Sequence, residues 1–215
     1  MKNLSDCRLY TFVDAAYLAG RDPAEIVRQL CAGGSDIIQL RAKQSSPDEI
    51  RRMAAAILPI TRRAGVPLVI NDYPEIAREV GAEFVHLGQE DFFEAGHRHA
   101  STLRVPHPAL RVGLSSHAPE QAERAIAAGA DYIAVGPVFA TDTKPGRLPV
   151  TIEYVRWAAK HVFVPWFAIG GINLQNLDAV LSAGARRICV VSAILNAPDV
   201  ALACRSFKQR LAAVI

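Results

Sequence analysis

Short apolar segments alternate with helical segments along the whole chain, and this alternation restricts the possible folds more than any other feature. Eight segments have the length and composition of buried strands. They are RLYTFVD (8–14), DIIQLRA (36–42), PLVIND (67–72), FVHLG (84–88), RVGLSS (111–116), YIAVGPV (132–138), VPWFAIGG (164–171) and RICVVSA (187–193). Helical patterns fill the gaps at 23–32, 46–64, 73–80, 118–128, 151–160, 173–183 and 197–213, with a weaker one near 92–102.

A strict alternation of strands and helices predicts a parallel sheet. Eight such units predict an α/β fold, a closed (β/α)8 TIM barrel, as a single domain over residues 1–215. A doubly wound open sheet is the alternative, but it concentrates its ligand groups at one switch point. Here the strand spacing is nearly uniform, and polar residues follow almost every strand. Both observations favour the barrel.

Composition narrows the classes of partner. Of the 215 residues, 51% are hydrophobic, which suffices for a large core, and the net charge is only +3. This small, scattered excess suits anionic small molecules and argues against nucleic acid as a partner. Whether the chain forms a homo-oligomer stays open at this stage.

The cysteines and the apolar segments indicate the compartment. Cys7, Cys31, Cys189 and Cys204 lie far apart and form neither a CxxC pair nor a zinc spacing. Three of them, Cys31, Cys189 and Cys204, lie in apolar runs, so we expect buried free thiols. No signal peptide is predicted at the start, and no apolar run is long enough to cross a bilayer. We therefore expect a cytoplasmic protein without a membrane partner.

The second predicted strand ends in an unusual way, as DIIQLRAKQ. Gln39, Arg41 and Lys43 occupy every second position, and alternate residues of a strand share a face. One face of this strand end therefore carries an amide, a guanidinium and an ammonium. In a barrel of this class, catalytic residues gather at the carboxyl ends of the strands.

Other strands end in polar residues as well. Those that follow strands three to six are Asn71, Asp72, Gln89, Asp91, Ser115, Thr141, Thr143 and Lys144. Arg41, Lys43 and Lys144 could surround a polyanion, and two carboxylates, Asp72 and Asp91, could hold a hard cation beside it. Magnesium favours one or two carboxylates together with substrate phosphate oxygens. The combination predicts a diphosphate site with Mg²⁺.

Strands seven and eight end in AIGGIN and VVSAIL, each leading toward a helix. Backbone N–H groups at helix N-termini bind phosphate, and loops seven and eight are the common phosphate position in this fold. The sequence therefore predicts a second anion site, for a monophosphate.

Each residue also has a simpler interpretation. Asp72 could cap the helix at 73–80, Ser115 could be a small interior residue, and Gly170-Gly171 could serve only a tight turn. His86 is expected to pack inside the barrel rather than to catalyse, and His97, His99 and His107 are expected at the surface. The shared location of the polar residues, at the predicted mouth, favours a functional site.

These segments resemble the thiamine-phosphate synthase family from end to end and in the same order. The matching segments are LYTFVD, QLRAK, INDYPEIA, GAEFVHLGQED, GLSSH, GADYIAVGPVFATDTK, FAIGGI and VVSAI. QLRAK and GPVFATDTK are the specific ones, whereas IGGI occurs in many phosphate-binding barrels. The family joins 4-amino-2-methyl-5-(diphosphooxymethyl)pyrimidine to 4-methyl-5-(2-phosphoethyl)thiazole, giving thiamine phosphate and diphosphate. The resemblance implies a transferase of thiamine biosynthesis that uses a dissociative, carbocation-like mechanism.

The resemblance also implies roles for individual residues. The pyrimidine diphosphate would contact Gln39, Leu40, Arg41, Ala42, Lys43, Asn71, Ser115 and Lys144, of which Arg41, Lys43, Ser115 and Lys144 would be catalytic. The thiazole phosphate, or its carboxylate form, would contact Thr141, Asp142, Thr143, Gly171, Val191 and Ser192. Asp72 and Asp91 would hold Mg²⁺.

The resemblance has departures and competitors. The segment PGRLPVTIEYVR is shorter than usual, and it has Val150-Thr151 where the family usually has a glycine before the next helix. The related thiazole tautomerases share the barrel but carry His in place of Pro137 and Cys in place of Thr143, so the residues here favour the synthase. A barrel that binds thiamine phosphate without catalysis is the third hypothesis.

Overall fold

The computed structural model describes residues 3–141 and 148–213. Eight strands follow one another in chain order in a closed parallel β-barrel, so the predicted (β/α)8 fold class is confirmed and the open sheet is excluded. The strands are β1 Leu9–Asp14, β2 Ile37–Arg41, β3 Leu68–Asn71, β4 Phe84–Leu87, β5 Arg111–Ser116, β6 Tyr132–Val135, β7 Trp166–Ala168 and β8 Ile188–Cys189. Every strand lies within its predicted segment.

Most helices match their predicted positions. The helices are α1 Ala15–Leu18, α2 Pro23–Ala32, α3 Pro47–Ala64, α4 Pro74–Val80, α5 Gln89–Glu94, α6 Pro119–Ala127, α7 Thr151–His161, α8 Leu177–Ser182, α9 Ser192–Leu195 and α10 Val200–Ala212, with 3-10 turns at Leu4–Asp6 and Ala100–Arg104. The sequence patterns predict no helix at α1. Local chemistry sets the boundaries of α3, which begins with a capping box between Ser46 and Glu49 and ends at Gly65 with a positive φ. No helix in the described part of the chain is long and apolar enough to cross a membrane.

The structure divides into two compact units, and the first comprises residues 1–85 and 190–215. In it, β1 pairs with β2 and β2 with β3, and Asp14 is aligned with Arg41. The strands are buried on both faces, as parallel strands covered by helices must be. Helix α2 packs on the same core through its buried residues Ile26, Val27 and Leu30.

The second unit comprises residues 86–189. In it, β5 pairs with β6, β6 with β7, and β7 with β8. Its core contains the aromatic pair Tyr132 and Phe167, whose rings meet edge to face with centroids 5.7 Å apart. Such pairs contribute about 0.5–1.5 kcal/mol beyond the area that they bury.

Acidic residues at the amino-terminal ends of the strands connect neighbouring strands. The Asp36 carboxylate accepts hydrogen bonds from the backbone N–H groups of Arg8 and Leu9, at 2.9 and 3.0 Å. Glu83 accepts from Leu68 N at 2.9 Å, and Asp131 accepts from Val112 N at 2.7 Å. Each of these acids is the last residue of a similar segment, Gly-Ser-Asp, Gly-Ala-Glu or Gly-Ala-Asp. Each accepts a hydrogen bond from the backbone at the start of the preceding strand of the barrel.

Two predicted helices differ from the structure. The weak helix near 92–102 is wrong: α5 ends at Glu94, Gly96 has a φ of +83°, and a separate 3-10 turn follows at Ala100–Arg104. The helix expected at 173–183 begins only at Leu177. The Asn173 carboxamide accepts hydrogen bonds from the N–H groups of Gln175 and Asn176, so a side chain replaces the first helical turn.

Candidate active site

Exposure rises along the carboxyl end of β2. Gln39 is only 2% exposed, the Arg41 side chain is 13% exposed, and the Lys43 side chain, just beyond the strand, is 47% exposed. The predicted row of an amide, a guanidinium and an ammonium therefore runs from the interior out to solvent. Leu40 and Ala42, which lie between them, are buried at 1% and 5%.

Two buried residues of β1 hold the polar side chains of β2. Gln39 Nε2 donates a hydrogen bond to Tyr10 Oη at 2.6 Å. Arg41 Nη1 lies 2.6 Å from Asp14 Oδ2, and the Asp14 side chain is 1% exposed. Sequence reasoning assigned no role to Tyr10 or Asp14. The available signal was that Asp14 is the polar end of a strand that pairs with the QLRAK strand.

Asn71 and Asp72 follow β3. Asn71 is 9% exposed, and Asp72 has a φ of +65°, a left-handed conformation that Asp tolerates better than most residues. The alternative that Asp72 caps α4 is wrong, because Tyr73 occupies the cap position and no side chain caps that helix. The Asp72 carboxylate instead lies 3.2 Å from Lys43 Nζ. The structure thus brings two predicted site residues together.

Asp91 lies in the first turn of α5 and is exposed. Its carboxylate lies over Gly88, since a Cβ on that glycine would come within 2.4 Å of Asp91 Oδ2. In the same unit Ser115, 5% exposed, accepts a hydrogen bond from Gln89 N at 3.4 Å. Gly88 therefore leaves room for the Asp91 carboxylate, a packing role that the sequence does not indicate because a glycine after a strand is also typical of a turn.

The carboxylates of Asp72 and Asp91 are suitable ligands for a hard cation. Carboxylate oxygens are the ligands that Mg²⁺ prefers, and the Asp72 carboxylate already lies beside the ammonium of Lys43. Within residues 3–141 and 148–213, no group of three or more His, Cys, Asp or Glu side chains is arranged to hold a metal ion. A Mg²⁺ ion bound by Asp72 and Asp91 would therefore take its remaining oxygen ligands from water or from the substrate.

The loop after β7 packs its backbone directly on the loop after β6. Val138 N donates to Ile169 O at 2.8 Å, and Phe139 N donates to Gly170 O at 3.0 Å. Gly171 has a φ of +63°, and a Cβ there would lie 2.5 Å from Ala140 O. The close approach of the two loops thus requires glycine at this position. It also places Gly171 next to the segment that leads into Thr141, which is half-buried.

Only part of this loop can offer N–H groups to an anion. The N–H groups of Asn173, Gln175 and Asn176 donate to asparagine side chains, so the expected helix N-terminus at 173 is already occupied. Within the two described ranges of the chain, the backbone N–H groups of Gly171 and Ile172 donate to no acceptor. The backbone around Gly171 is therefore the part of this loop that suits a phosphate.

The loop after β8 turns directly into α9, with buried Val191 at the cap position and half-buried Ser192 as the first helical residue. First-turn N–H groups of a helix lack intrahelical acceptors. The predicted contacts at Asp142, Thr143 and Lys144 lie outside the described residues.

Other titratable groups are poor candidates for catalysis. His86 is half-buried and stacks on Tyr132, with Nδ1 3.2 Å from Tyr132 Oη. Burial raises the pKa of the Cys189 thiol well above its ordinary value and that of Cys204 to about 12. Both thiols are therefore protonated near neutral pH and are weak nucleophiles. All four cysteines are free, but the expected burial of Cys31 is wrong, because that residue is partly exposed.

Comparison with known proteins places this geometry in a family. The sequence model described as thiamine monophosphate synthase matches residues 9–194. The thiamine-phosphate synthase of Thermus thermophilus is 49% identical over 186 residues, covering 84% of each chain. That of Acidothermus cellulolyticus is 43% identical over 213 residues, covering 98% of each chain.

A solved structure agrees. The thiamine phosphate pyrophosphorylase from Pyrococcus furiosus superposes with a TM-score of 0.85 at 30% identity, covering 99% of this chain and 98% of its own. The sequence match and the fold thus lead to the same assignment, and this chain belongs to the thiamine-phosphate synthase family.

Proposed function

We propose that this chain joins 4-amino-2-methyl-5-(diphosphooxymethyl)pyrimidine to 4-methyl-5-(2-phosphoethyl)thiazole and releases thiamine phosphate and diphosphate. The observation that carries this proposal is the pair of cations at the end of β2. Arg41 is held by Asp14 at 2.6 Å, and Lys43 lies 3.2 Å from Asp72. A guanidinium paired with a buried carboxylate, followed by a more exposed ammonium, suits a leaving group that carries several negative charges.

The residues present stabilise charge rather than attack the substrate. When the C–O bond of the pyrimidine substrate breaks, its electron pair goes to the diphosphate oxygen, and the aminopyrimidine ring carries the positive charge. Arg41 and Lys43 would offset the negative charge that grows on the diphosphate. The thiazole nitrogen then forms the new C–N bond, so the chemistry needs no side-chain nucleophile. The protonated Cys189 is consistent with this scheme.

Asp72 and Asp91 are proposed to hold Mg²⁺ together with oxygens of the diphosphate. The ion would supply positive charge to the leaving group and help to orient it. Lys43 would exchange its contact with Asp72 for a phosphate oxygen at the same time. Gln39 and Ser115, both buried, would contact the pyrimidine substrate from the interior side.

The thiazole phosphate is proposed to bind at the loops after β6, β7 and β8. The N–H groups of Gly171 and Ile172 support this placement, as does Ser192 in the first turn of α9. Thr141, Asp142, Thr143 and Val191 complete the proposed set. Holding both rings in an aligned geometry would make the attack effectively unimolecular.

A direct assay tests the proposal. The purified protein is mixed with both precursors and Mg²⁺, and thiamine phosphate is measured by chromatography and mass spectrometry. We expect stoichiometric thiamine phosphate and diphosphate. A second reaction supplies the thiazole carboxylate phosphate in place of the thiazole phosphate. Its isomerisation without condensation would favour a tautomerase, and binding of thiamine phosphate without turnover would favour a non-catalytic barrel. Either result would overturn the proposal.

A further inference from the structure

Asp14 combines three properties that no step of the proposed reaction requires of it. It is a carboxylate with 1% exposure, it ends β1, and it lies opposite Arg41 in the register of β1 and β2. A buried carboxylate is costly unless it is paired and hydrogen-bonded. Asp14 meets this condition with one bond from each of its two oxygens.

The two oxygens of Asp14 have different partners. Oδ2 accepts from Arg41 Nη1 at 2.6 Å, whereas Oδ1 accepts from the backbone N–H of Ala16 at 3.1 Å. The second bond makes Asp14 the N-cap of α1. The carboxylate plane is therefore fixed by the strand on one side and by the helix on the other, and it in turn fixes the guanidinium.

Asp14 is not suited to contact the substrate. Its charge is of the same sign as that of the diphosphate, it is almost fully buried, and both of its oxygens are engaged. A direct role as a metal ligand would require the loss of the Arg41 bond or of the helix cap. Any effect of Asp14 on the reaction would therefore pass through Arg41 or through the helix that Asp14 caps.

We infer that Asp14 is a positioning residue, which orients the Arg41 guanidinium toward the departing diphosphate. This inference rests on the proposed role of Arg41. The guanidinium is a planar fork whose bidentate grip on phosphate depends on its orientation. A flexible arginine would lose conformational entropy each time that it bound the diphosphate, whereas one held by Asp14 is already ordered. A misplacement of about 1 Å can lower a rate about a hundredfold.

The test separates positioning from helix capping. Asp14→Ser and Asp14→Asn both retain a side-chain oxygen that can cap α1, but neither retains the carboxylate. Asp22→Ser is the matched control, because Asp22 caps α2 through the same contact, to Ala24 N at 3.1 Å, and is exposed. Single-turnover kinetics give the rate of condensation, and calorimetry with Mg²⁺ and inorganic diphosphate gives the affinity.

We expect both Asp14 variants to lower the single-turnover rate about ten- to a hundredfold and to weaken diphosphate binding, with the KM for the thiazole phosphate unchanged. Asp22→Ser should change none of these. The double variant Asp14→Ser/Arg41→Ala should be no slower than Arg41→Ala alone, because Asp14 acts through the cation at position 41.

The outcomes distinguish the inference from the proposal beneath it. If Arg41→Lys reacts at the normal rate, Arg41 has no role in bond breaking, and the inference falls with that role. If Arg41→Lys is slow but both Asp14 variants match Asp22→Ser in rate and diphosphate affinity, Asp14 is only a helix cap. Thermal unfolding of each variant shows that the rates belong to folded protein.

Discussion

Lys43 Nζ lies 3.2 Å from Asp72 Oδ2. The Lys43 ammonium thus pairs with the carboxylate that we propose as a magnesium ligand. Both side chains are partly exposed, and a pair of this kind contributes only about 0–1 kcal/mol. Because the pair is weak, its partners can exchange when a metal diphosphate binds. Lys43 would then contact phosphate, and Asp72 would contact the metal.

This arrangement predicts that Asp72→Asn requires at least about ten times more Mg²⁺ for half-maximal activity, since one carboxylate of the pair is lost. Asparagine also tolerates the left-handed backbone at this position, where φ is +65°, so the fold should be unchanged. The checks are a Mg²⁺ titration of the single-turnover rate and calorimetry of Mg²⁺ with inorganic diphosphate.

The matched control is Asp48→Asn, which removes a carboxylate from the exposed pair with Arg51 on α3. This control should titrate with Mg²⁺ like the unmodified protein. A Mg²⁺ titration of Asp72→Asn that also superposes on that of the unmodified protein would contradict the assignment.

Gly171→Ala should weaken binding of the thiazole phosphate about tenfold or more and leave binding of the pyrimidine diphosphate nearly unchanged. An added Cβ would lie 2.5 Å from Ala140 O, and the positive φ adds strain of about 1–3 kcal/mol. Gly184→Ala is the control, because it combines a φ of +100° with a Cβ only 2.6 Å from Ala159 Cβ, at the end of α8. Calorimetry that gave equal losses for both ligands, or the same loss in the control, would refute the phosphate placement.

We expect the stability of the protein, but not its activity, to depend on the carboxylate of Asp36. It is 3% exposed and accepts from Lys208 Nζ at 2.6 Å as well as from the backbone of Arg8 and Leu9. Asp36→Ala leaves these donors without their acceptor, so we expect a loss of about 3–5 kcal/mol in the free energy of unfolding by urea. Asp199→Ala, which removes only the N-cap of α10, should cost about 1 kcal/mol. An equal loss of unfolding free energy in the two variants would show that Asp36 contributes no more to stability than a helix N-cap does.

The regular parts of the fold could be predicted because local pattern and tertiary environment agree there. The strand at 111–116 and the helix at 23–32 have the predicted bounds, since alternation, a proline at the start and an Asp cap all favour the same structure. The prediction of a helix from residue 173 was wrong because hydrogen bonds to an asparagine side chain replace its first turn. Whether an asparagine caps a helix or replaces its first turn depends on geometry that a single sequence does not contain.

The candidate site divides in the same way. Residue types at strand ends indicated Arg41, Lys43 and Asp72, because the barrel brings strand ends together. The partner of Arg41 could not be predicted, since Asp14 lies 27 residues away and only the register of β1 with β2 aligns the two. Nor does the sequence distinguish a glycine that permits a turn from one, such as Gly171, that permits two loops to touch.

Tyr154 predicts a loss of stability at alkaline pH. Burial raises the pKa of this phenol from its ordinary value of 10.0 to about 12, and its hydroxyl donates to Ser116 Oγ at 2.8 Å. The folded protein therefore keeps a proton that the unfolded chain releases above about pH 10. The resulting stability is complete below pH 10 and is lost as the pH rises through about 12.

Tyr154→Phe should flatten this pH dependence, although it is expected to be less stable at pH 7 by about 1 kcal/mol because it has no hydroxyl to donate to Ser116 Oγ or Ala118 O. The measurement is the free energy of unfolding of both proteins at pH 8, 10 and 11. Cys204, whose pKa is also raised to about 12, is present in both proteins and cancels in the difference. A difference that stays constant from pH 8 to pH 11 would contradict the assignment of the effect to Tyr154.

The first residue of α7 has an unfavourable backbone conformation. Thr151 has a φ of +64°, in the left-handed region that a β-branched residue rarely adopts. The family resemblance leads us to expect a glycine at this point. Val150 N donates to Pro137 O at 2.7 Å, and this bond fixes the chain just before the strained residue.

Thr151→Gly should therefore stabilise the protein. Relief of left-handed strain contributes about 1–3 kcal/mol, whereas the greater freedom of glycine in the unfolded chain costs about 0.4–1 kcal/mol. The weak contact from Glu153 N to Thr151 Oγ1, at 3.4 Å, is a minor loss. We expect a net gain of about 1 kcal/mol, which corresponds to roughly 2–4 °C in Tm for a chain of this size. The control is Thr151→Ala, which keeps the strain of a Cβ and should not raise Tm as far. A Tm for Thr151→Gly at or below that of the unmodified protein would show that the surrounding structure gains nothing from glycine at this position.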